Sequence, residues 1–388
     1  MQIGTLDRNM RWRGIAANSA LCLASFLFSL GLVEVALRLF HIVPNDLHRV
    51  VFPSPAPLFQ KLDGIPDHLY TPGDSQQIFF ACQGSKCRPD KWIDVYVNSA
   101  GLRDVEHSAI KPPGTVRILV LGDSFTSAVG VATPETYAKS LESLLNGRFT
   151  SRPRYETINA GIDGYSTYEE VAFLKRFGLR YQPDIIVLGF YLNDAYPAWD
   201  KRWSADPRKI AMYGKFQKRM AALNPDRILS NIPATTLHFS GFLHALRWLK
   251  AFRTQIHIPK NSKEWYRFIW SDENPVGMEQ IHSAFGELAR IQRERRIPVL
   301  VLIFPKLDWL DSGYPLADLH ERVHELCRRY GLEFVDLLPL LTGRKPSTLW
   351  HHPSDHHPSI WVHKLAASVV FQRLLAGSSY RRALRLAP

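Results

Sequence analysis

The feature that most restricts the fold is a repeated exchange between short apolar runs and stretches with helical spacing. Val116–Leu121, Tyr155–Ile162, Asp184–Tyr191, Pro298–Phe304 and Glu333–Leu337 are brief runs rich in apolar and β-branched residues. Runs of this length that end at glycine or a polar turn suit strands buried on both faces. Pro134–Leu145 reads as a helix, with Thr133 as N-cap and Pro134 at the first helical position, where a missing N–H is tolerated. Thr167-Tyr-Glu-Glu170 has the form of a capping box, and Val171, Leu174 and Phe177 then recur at helical spacing before Gly178. Further helices are predicted over roughly 277–296, over 317–330 and over Ile360–Leu375. Strands that alternate with helices imply an α/β fold with a parallel sheet covered on both faces and right-handed crossovers.

Three segments stand outside that alternation. Residues 41–95 are rich in Pro and Gly with no clear period, and read as a linker or an irregular subdomain. Residues 197–275 are rich in Trp, Tyr and Phe, which predicts a helical insertion rather than disorder. Gly14–Val33 is an uncharged apolar stretch, long enough to cross a bilayer as a helix. Arg8, Arg11 and Arg13 precede it, which places the N-terminus in the cytoplasm and the chain beyond Arg38 outside. A cleaved signal peptide is the competing reading, but Glu34-Val35-Ala36-Leu37-Arg38 is a poor cleavage site. The domains expected are thus a tail and transmembrane anchor over 1–40, the 41–95 segment, and an α/β domain over 96–380 that carries the insertion.

Charge and cysteines narrow the partners. The net charge of +12 suits anionic partners such as lipid headgroups or acidic glycans, and equally a generally basic background. No Lys/Arg-dense run with interleaved aromatics occurs, so no nucleic acid is expected. Of the four cysteines, Cys82 and Cys87 frame a short loop. Outside the cytoplasm they form either a disulfide or two unpaired thiols. A zinc site would need a second pair, which is missing.

The chemistry concentrates at strand ends. Ile118-Leu-Val-Leu-Gly122-Asp123-Ser124-Phe125-Thr126 runs a strand straight into a turn, and open parallel sheets place their sites at the carboxyl ends of strands. Ser124 there is a candidate nucleophile, although Asp and Ser are also ordinary turn residues. Gly161 ends the second strand and Asn193 follows the third. The N–H groups of Ser124 and Gly161 and the Asn193 amide would make a three-donor oxyanion hole. A serine hydroxyl also needs an imidazole to take its proton and a third group to hold that imidazole. His351-His352-Pro353-Ser354-Asp355-His356-His357-Pro358 precedes the last helix. It supplies His357 as base and Asp355 as its partner. The same cluster could instead bind a metal or line a surface loop.

These residues resemble the blocks of the SGNH hydrolase superfamily, also called GDSL lipases and esterases. They are Gly122-Asp123-Ser124-Phe125, Gly161, Asn193-Asp194 and Asp355…His357-Pro358, in order over roughly 95–375. Val97–Asp104 and the N-terminal anchor are similar to bacterial membrane-anchored members. The resemblance implies a three-layer, flavodoxin-like α/β/α fold and a metal- and cofactor-free triad of Ser124, His357 and Asp355. It further implies an oxyanion hole from Ser124, Gly161 and Asn193. One departure stands out: the family spaces Asp three residues before His, whereas Asp355 lies two before His357. Pro358 favours His357 over His356, because His-Pro is the usual pair. The implied activity is an extracytoplasmic esterase acting on acyl or acetyl esters of a lipid or glycan. An O-acyltransferase of exopolysaccharide, beside polysaccharide-biosynthesis machinery, would use the same triad. A membrane-tethered polysaccharide-binding scaffold with a decayed site is the non-catalytic alternative.

Overall fold

Five short strands, the central three made mostly of buried apolar residues, pair into one parallel sheet. They are β6 (Thr115–Gly122), β7 (Arg154–Gly161), β8 (Ile185–Tyr191), β9 (Val299–Phe304) and β10 (Glu333–Asp336). The computed structural model describes residues 50–51, 59–73, 75–80, 91–128, 130–151, 153–198, 207–223, 263–352 and 355–386, with four isolated positions between 25 and 32. Those from 50 onward belong to one compact unit, 47–223 with 260–388. Gly14–Val33, apart from those four positions, and the Cys82–Cys87 loop lie outside the described residues. No helix among the described residues is long and apolar enough to cross a membrane.

The sheet runs β7-β6-β8-β9-β10, the flavodoxin-like order, in which the connections change direction between the first and third strands. β6, β8 and β9 are buried along their whole length, as strands covered on both faces require. Helix α1 (Ser124–Ser127) follows β6 at once. Then come α2 (Tyr137–Arg148), α3 (Thr167–Arg176), α4 (Pro207–Leu223), α5 (Pro275–Arg295), α6 (Ala317–Tyr330) and α7 (Ile360–Ala376). α2 packs with α7, while α3 packs with α5 and α5 with α6. These two groups of helices complete the three layers.

Two helix starts differ from expectation, both by competition among neighbouring caps. Thr133–Glu135 forms a short 3-10 turn, and Thr136 caps α2 by accepting from Lys139 N–H at 3.2 Å. At α3 the cap is Ser166, whose N–H and hydroxyl both reach Glu169 Oε2, at 2.8 and 2.9 Å. Thr167 instead bonds Asp194 Oδ2 at 3.0 Å. Glu170 is buried with both carboxylate oxygens unpartnered. Burial first, then the nearby Asp194, hold its pKa well above the usual range.

The 41–95 segment is less irregular than its composition suggests. β1 (Val50–Val51), β4 (Ser75–Phe80) and β5 (Lys91–Tyr96) form an antiparallel sheet, and β2 (Phe59–Lys61) pairs with β3 (His68–Tyr70). Most of these strands are too short for a period-two pattern to emerge. In the insertion, α4 and a helix over 263–269 are described. Tyr266 meets Tyr191 hydroxyl to hydroxyl at 2.8 Å, and Trp270 Nε1 donates to Leu192 O at 2.7 Å. This part of the insertion therefore buttresses the end of β8.

Candidate active site

The site forms where the connections change direction, at the carboxyl ends of β6 and β8. Gly122 pairs in register with Gly161 on one side and Gly189 on the other. A Cβ on Gly122 would lie 2.0 Å from Thr126 Oγ1, and one on Gly189 2.3 Å from it. The missing side chains let α1 fold directly onto the sheet edge, which turns Ser124 toward the surface. Asp123 caps that turn by accepting from Phe125 N–H at 2.8 Å. Behind the turn, Arg103 donates to the carbonyls of Ser127, Ala128 and Val131. Asn98 Oδ1 holds the Arg103 loop by accepting from Ala100 and Leu102 N–H, each at 3.0 Å.

The histidine arrives on a separate hairpin, β11 (Trp350–His352) with β12 (Asp355–Pro358). His357 Nε2 lies 2.9 Å from Ser124 Oγ. Its Nδ1 donates to Asp355 Oδ1, and its own N–H reaches the same oxygen at 3.3 Å. The structure thus brings Ser124, His357 and Asp355 into one hydrogen-bonded line despite the short spacing. With the Nδ1 proton held by Asp355, Nε2 is the ring's acceptor and faces the serine hydroxyl. Burial alone would lower the His357 pKa, but the Asp355 bond and charge outweigh it and raise it above 6.5. Burial would likewise raise the Asp355 pKa, but His351 and His357 hold it far below the usual carboxylate range. His356 turns elsewhere: it stacks on Trp350 at 3.6 Å and bonds Asp308 through Nδ1 at 2.8 Å.

The expected oxyanion donors divide. Ser124 starts α1, where a first-turn N–H has no partner within the helix. Asn193 Nδ2 donates to Asp123 Oδ2 at 3.2 Å, which fixes the amide beside the turn with a second hydrogen to offer. Burial pushes Asp123 up to about 6, against the opposing Phe125 N–H and Asn193 bonds. Gly161 departs from expectation. Its N–H donates to Asn159 Oδ1 at 3.0 Å, and a Cβ there would meet Ser127 N at 2.2 Å. Its smallness seats α1 on β7, and its N–H is already used. Gly164 lies three residues on, exposed, with φ +82 and open space before its Cα. Its N–H makes no hydrogen bond among the described residues.

Asp123, His351, Arg103 and Gly164 are the supporting residues that sequence reasoning left without roles. The signals were present: Asp123 lies inside the strand-turn motif, His351 inside the histidine run, and Arg103 inside the 97–104 stretch. His351, Asp355 and His357 each offer a ligand atom within 4.8 Å of the others, a donor set that zinc accepts. A cation there would compete for the Asp355 oxygens that now receive the two imidazoles.

The sequence model of the GDSL-like lipase/acylhydrolase family matches residues 120–365. No curated protein sequence matches the chain. Among solved structures, the chain is similar to the crystal structure of TesA, with 14% identity and a TM-score of 0.39 over 66% of this chain and 97% of that one. It is also similar to the psychrotrophic esterase EstA from Pseudoalteromonas sp., with 12% identity and a TM-score of 0.38 over 67% and 99%. A two-domain esterase active on acetylated mannans aligns at 17% identity and a TM-score of 0.37 over 68% and 49%.

Proposed function

The chain belongs to the GDSL-like lipase/acylhydrolase family and is an ester-hydrolysing serine hydrolase; from that premise we propose that Ser124 is its nucleophile, His357 its general base and Asp355 the group that orients the imidazole. The observation that carries this reading is the 2.9 Å contact between His357 Nε2 and Ser124 Oγ. His357 takes the hydroxyl proton as Oγ bonds to the ester carbonyl carbon. The carbonyl oxygen becomes an oxyanion, stabilised by the Ser124 N–H and the Asn193 amide, with the Gly164 N–H as a further donor. The ester C–O bond then breaks, and the imidazolium gives its proton to the departing alcohol. Water, deprotonated by the same nitrogen, attacks the acyl-enzyme, and the acid leaves as Ser124 recovers its proton.

We place this reaction on acyl or acetyl esters of a lipid or glycan, outside the cytoplasm, with Gly14–Val33 as the membrane anchor. A fluorophosphonate probe should label the full-length chain at Ser124, and Ser124→Ala should lose both the label and p-nitrophenyl acetate hydrolysis. Full activity in Ser124→Ala would sink the assignment. Faster acyl release when a glycan is added would favour transfer to a sugar hydroxyl over hydrolysis.

A further inference from the structure

We infer that His351 is a positioning residue: it holds the second oxygen of Asp355 so that the first stays aimed at His357. The inference rests on the triad reading above. His351 Nε2 lies 3.3 Å from Asp355 Oδ2, the oxygen His357 does not use, at ion-pair distance although not aligned for a hydrogen bond. A terminal carboxylate torsion is broad and weakly fixed, and here only one residue separates the acid from its histidine. Two bonds to the same Oδ1, from His357 Nδ1 and His357 N–H, leave the other oxygen to be fixed from elsewhere.

The fold builds a seat for that purpose. The β11–β12 register shifts between Trp350 and His352, so His351 occupies the irregular position of the ladder. Such irregularities re-aim a side chain. The imidazole lies against Gly130, where a Cβ would come within 2.3 Å of Cε1 and 2.4 Å of both ring nitrogens. Gly130 has φ +91, which further reserves the position for glycine. The His351 side chain is 5% exposed, so it stands behind the triad rather than in the path of substrate.

Other ionisable groups also act on the Asp355–His357 pair or on its neighbours. Asp123 comes from the β6–α1 turn, Asp163 follows β7, Arg103 precedes β6, and His363 comes from α7. They remain unchanged in a His351 variant. Asp355 is the partner that raises the His357 pKa. Loss of its orientation therefore lowers kcat and moves the acid limb of kcat/KM to lower pH.

The test compares His351→Leu with His351→Gln in the full-length chain. Both keep roughly the volume of the ring, and only glutamine retains an N–H donor. With p-nitrophenyl acetate, His351→Leu should lose on the order of 10- to 100-fold in kcat, with KM unchanged and the acid limb lowered. His351→Gln should recover most of both. Wild-type kcat and an unmoved acid limb in His351→Leu would overturn the inference. Equal losses in both variants, accompanied by a lowered melting temperature and no shift of the limb, would assign His351 a purely structural part. Absence of fluorophosphonate labelling in the wild type would instead remove the triad reading itself.

Discussion

Two His–Asp–His sets occur among the described residues, and one of them faces a serine hydroxyl. At the β11–β12 hairpin, His351 and His357 approach opposite oxygens of Asp355, and the far nitrogen of His357 meets Ser124. At the α6–β10 junction, His320 Nδ1 and His324 Nε2 both reach Asp336 Oδ2 at 2.8 Å. Helical i,i+4 spacing puts those two histidines on one face of α6. Asp336 Oδ1 is taken by Leu338 N–H at 2.8 Å, and the far nitrogen of His320 meets Tyr314 OH at 3.4 Å. Burial first raises the Tyr314 pKa far above its usual value, and its oxygen already accepts from Lys306 N–H at 2.8 Å. The residue types are the same. What differs is location: one set stands at the direction change of the sheet beside a serine, and the other clamps a helix to an edge strand. An acid–imidazole pair becomes a catalytic device only through what its outer nitrogen faces.

Removing the histidines should separate the two sets most sharply. His357→Ala should cost up to about 10⁶-fold in kcat with its denaturation midpoint nearly unchanged. His320→Ala should keep kcat and lose about 1–3 kcal/mol of stability, read by denaturant titration. A comparable loss of turnover in His320→Ala would break the distinction.

The acids should divide likewise, with a smaller catalytic effect. Asp355→Asn should lower kcat about 10⁴-fold, because an amide at that place favours the wrong imidazole tautomer. Asp336→Asn should leave kcat intact and lower the melting temperature, and the reverse pattern would count against the assignment.

pH provides the mildest test. The His357 pKa is raised above 6.5 and its neutral form is the base, so kcat/KM should fall as pH drops through that raised value. Asp355 and Asp336 have folded pKa values below the unfolded 3.8. The stability they contribute is present above that unfolded value and is lost as pH falls through the lower folded ones. Activity should therefore disappear at a higher pH than folded structure, as activity and circular dichroism followed on the same samples would show. Coincident midpoints would contradict this.

The core strands were legible because burial on both faces leaves near-continuous apolar runs. All five sheet strands fall within one or two residues of their expected ends. Local competition was harder to read. Ser166-Thr167 and Glu169-Glu170 offer two overlapping caps, and the pull of Asp194 on the Thr167 hydroxyl selects the earlier one. The Gly161 expectation went astray for a related reason. A strand-end glycine looks the same whether its N–H faces a ligand or, as here, the side chain two residues before it.

By itself the sequence determined the parallel sheet, the serine at the end of its first strand and the histidine run before the last helix. Hydrophobic period and turn chemistry are local properties, written within a few neighbouring residues. Only the tertiary structure decided that His357 rather than His356 meets Ser124, and that two residues of spacing suffice for Asp355. It alone put His351 against that acid and set the N–H of Gly161 aside. The placements of His357 and His351 depend on contacts between segments more than two hundred residues apart, Ser124 with His357 and Gly130 with His351. Packing sets such contacts, and no local pattern encodes them.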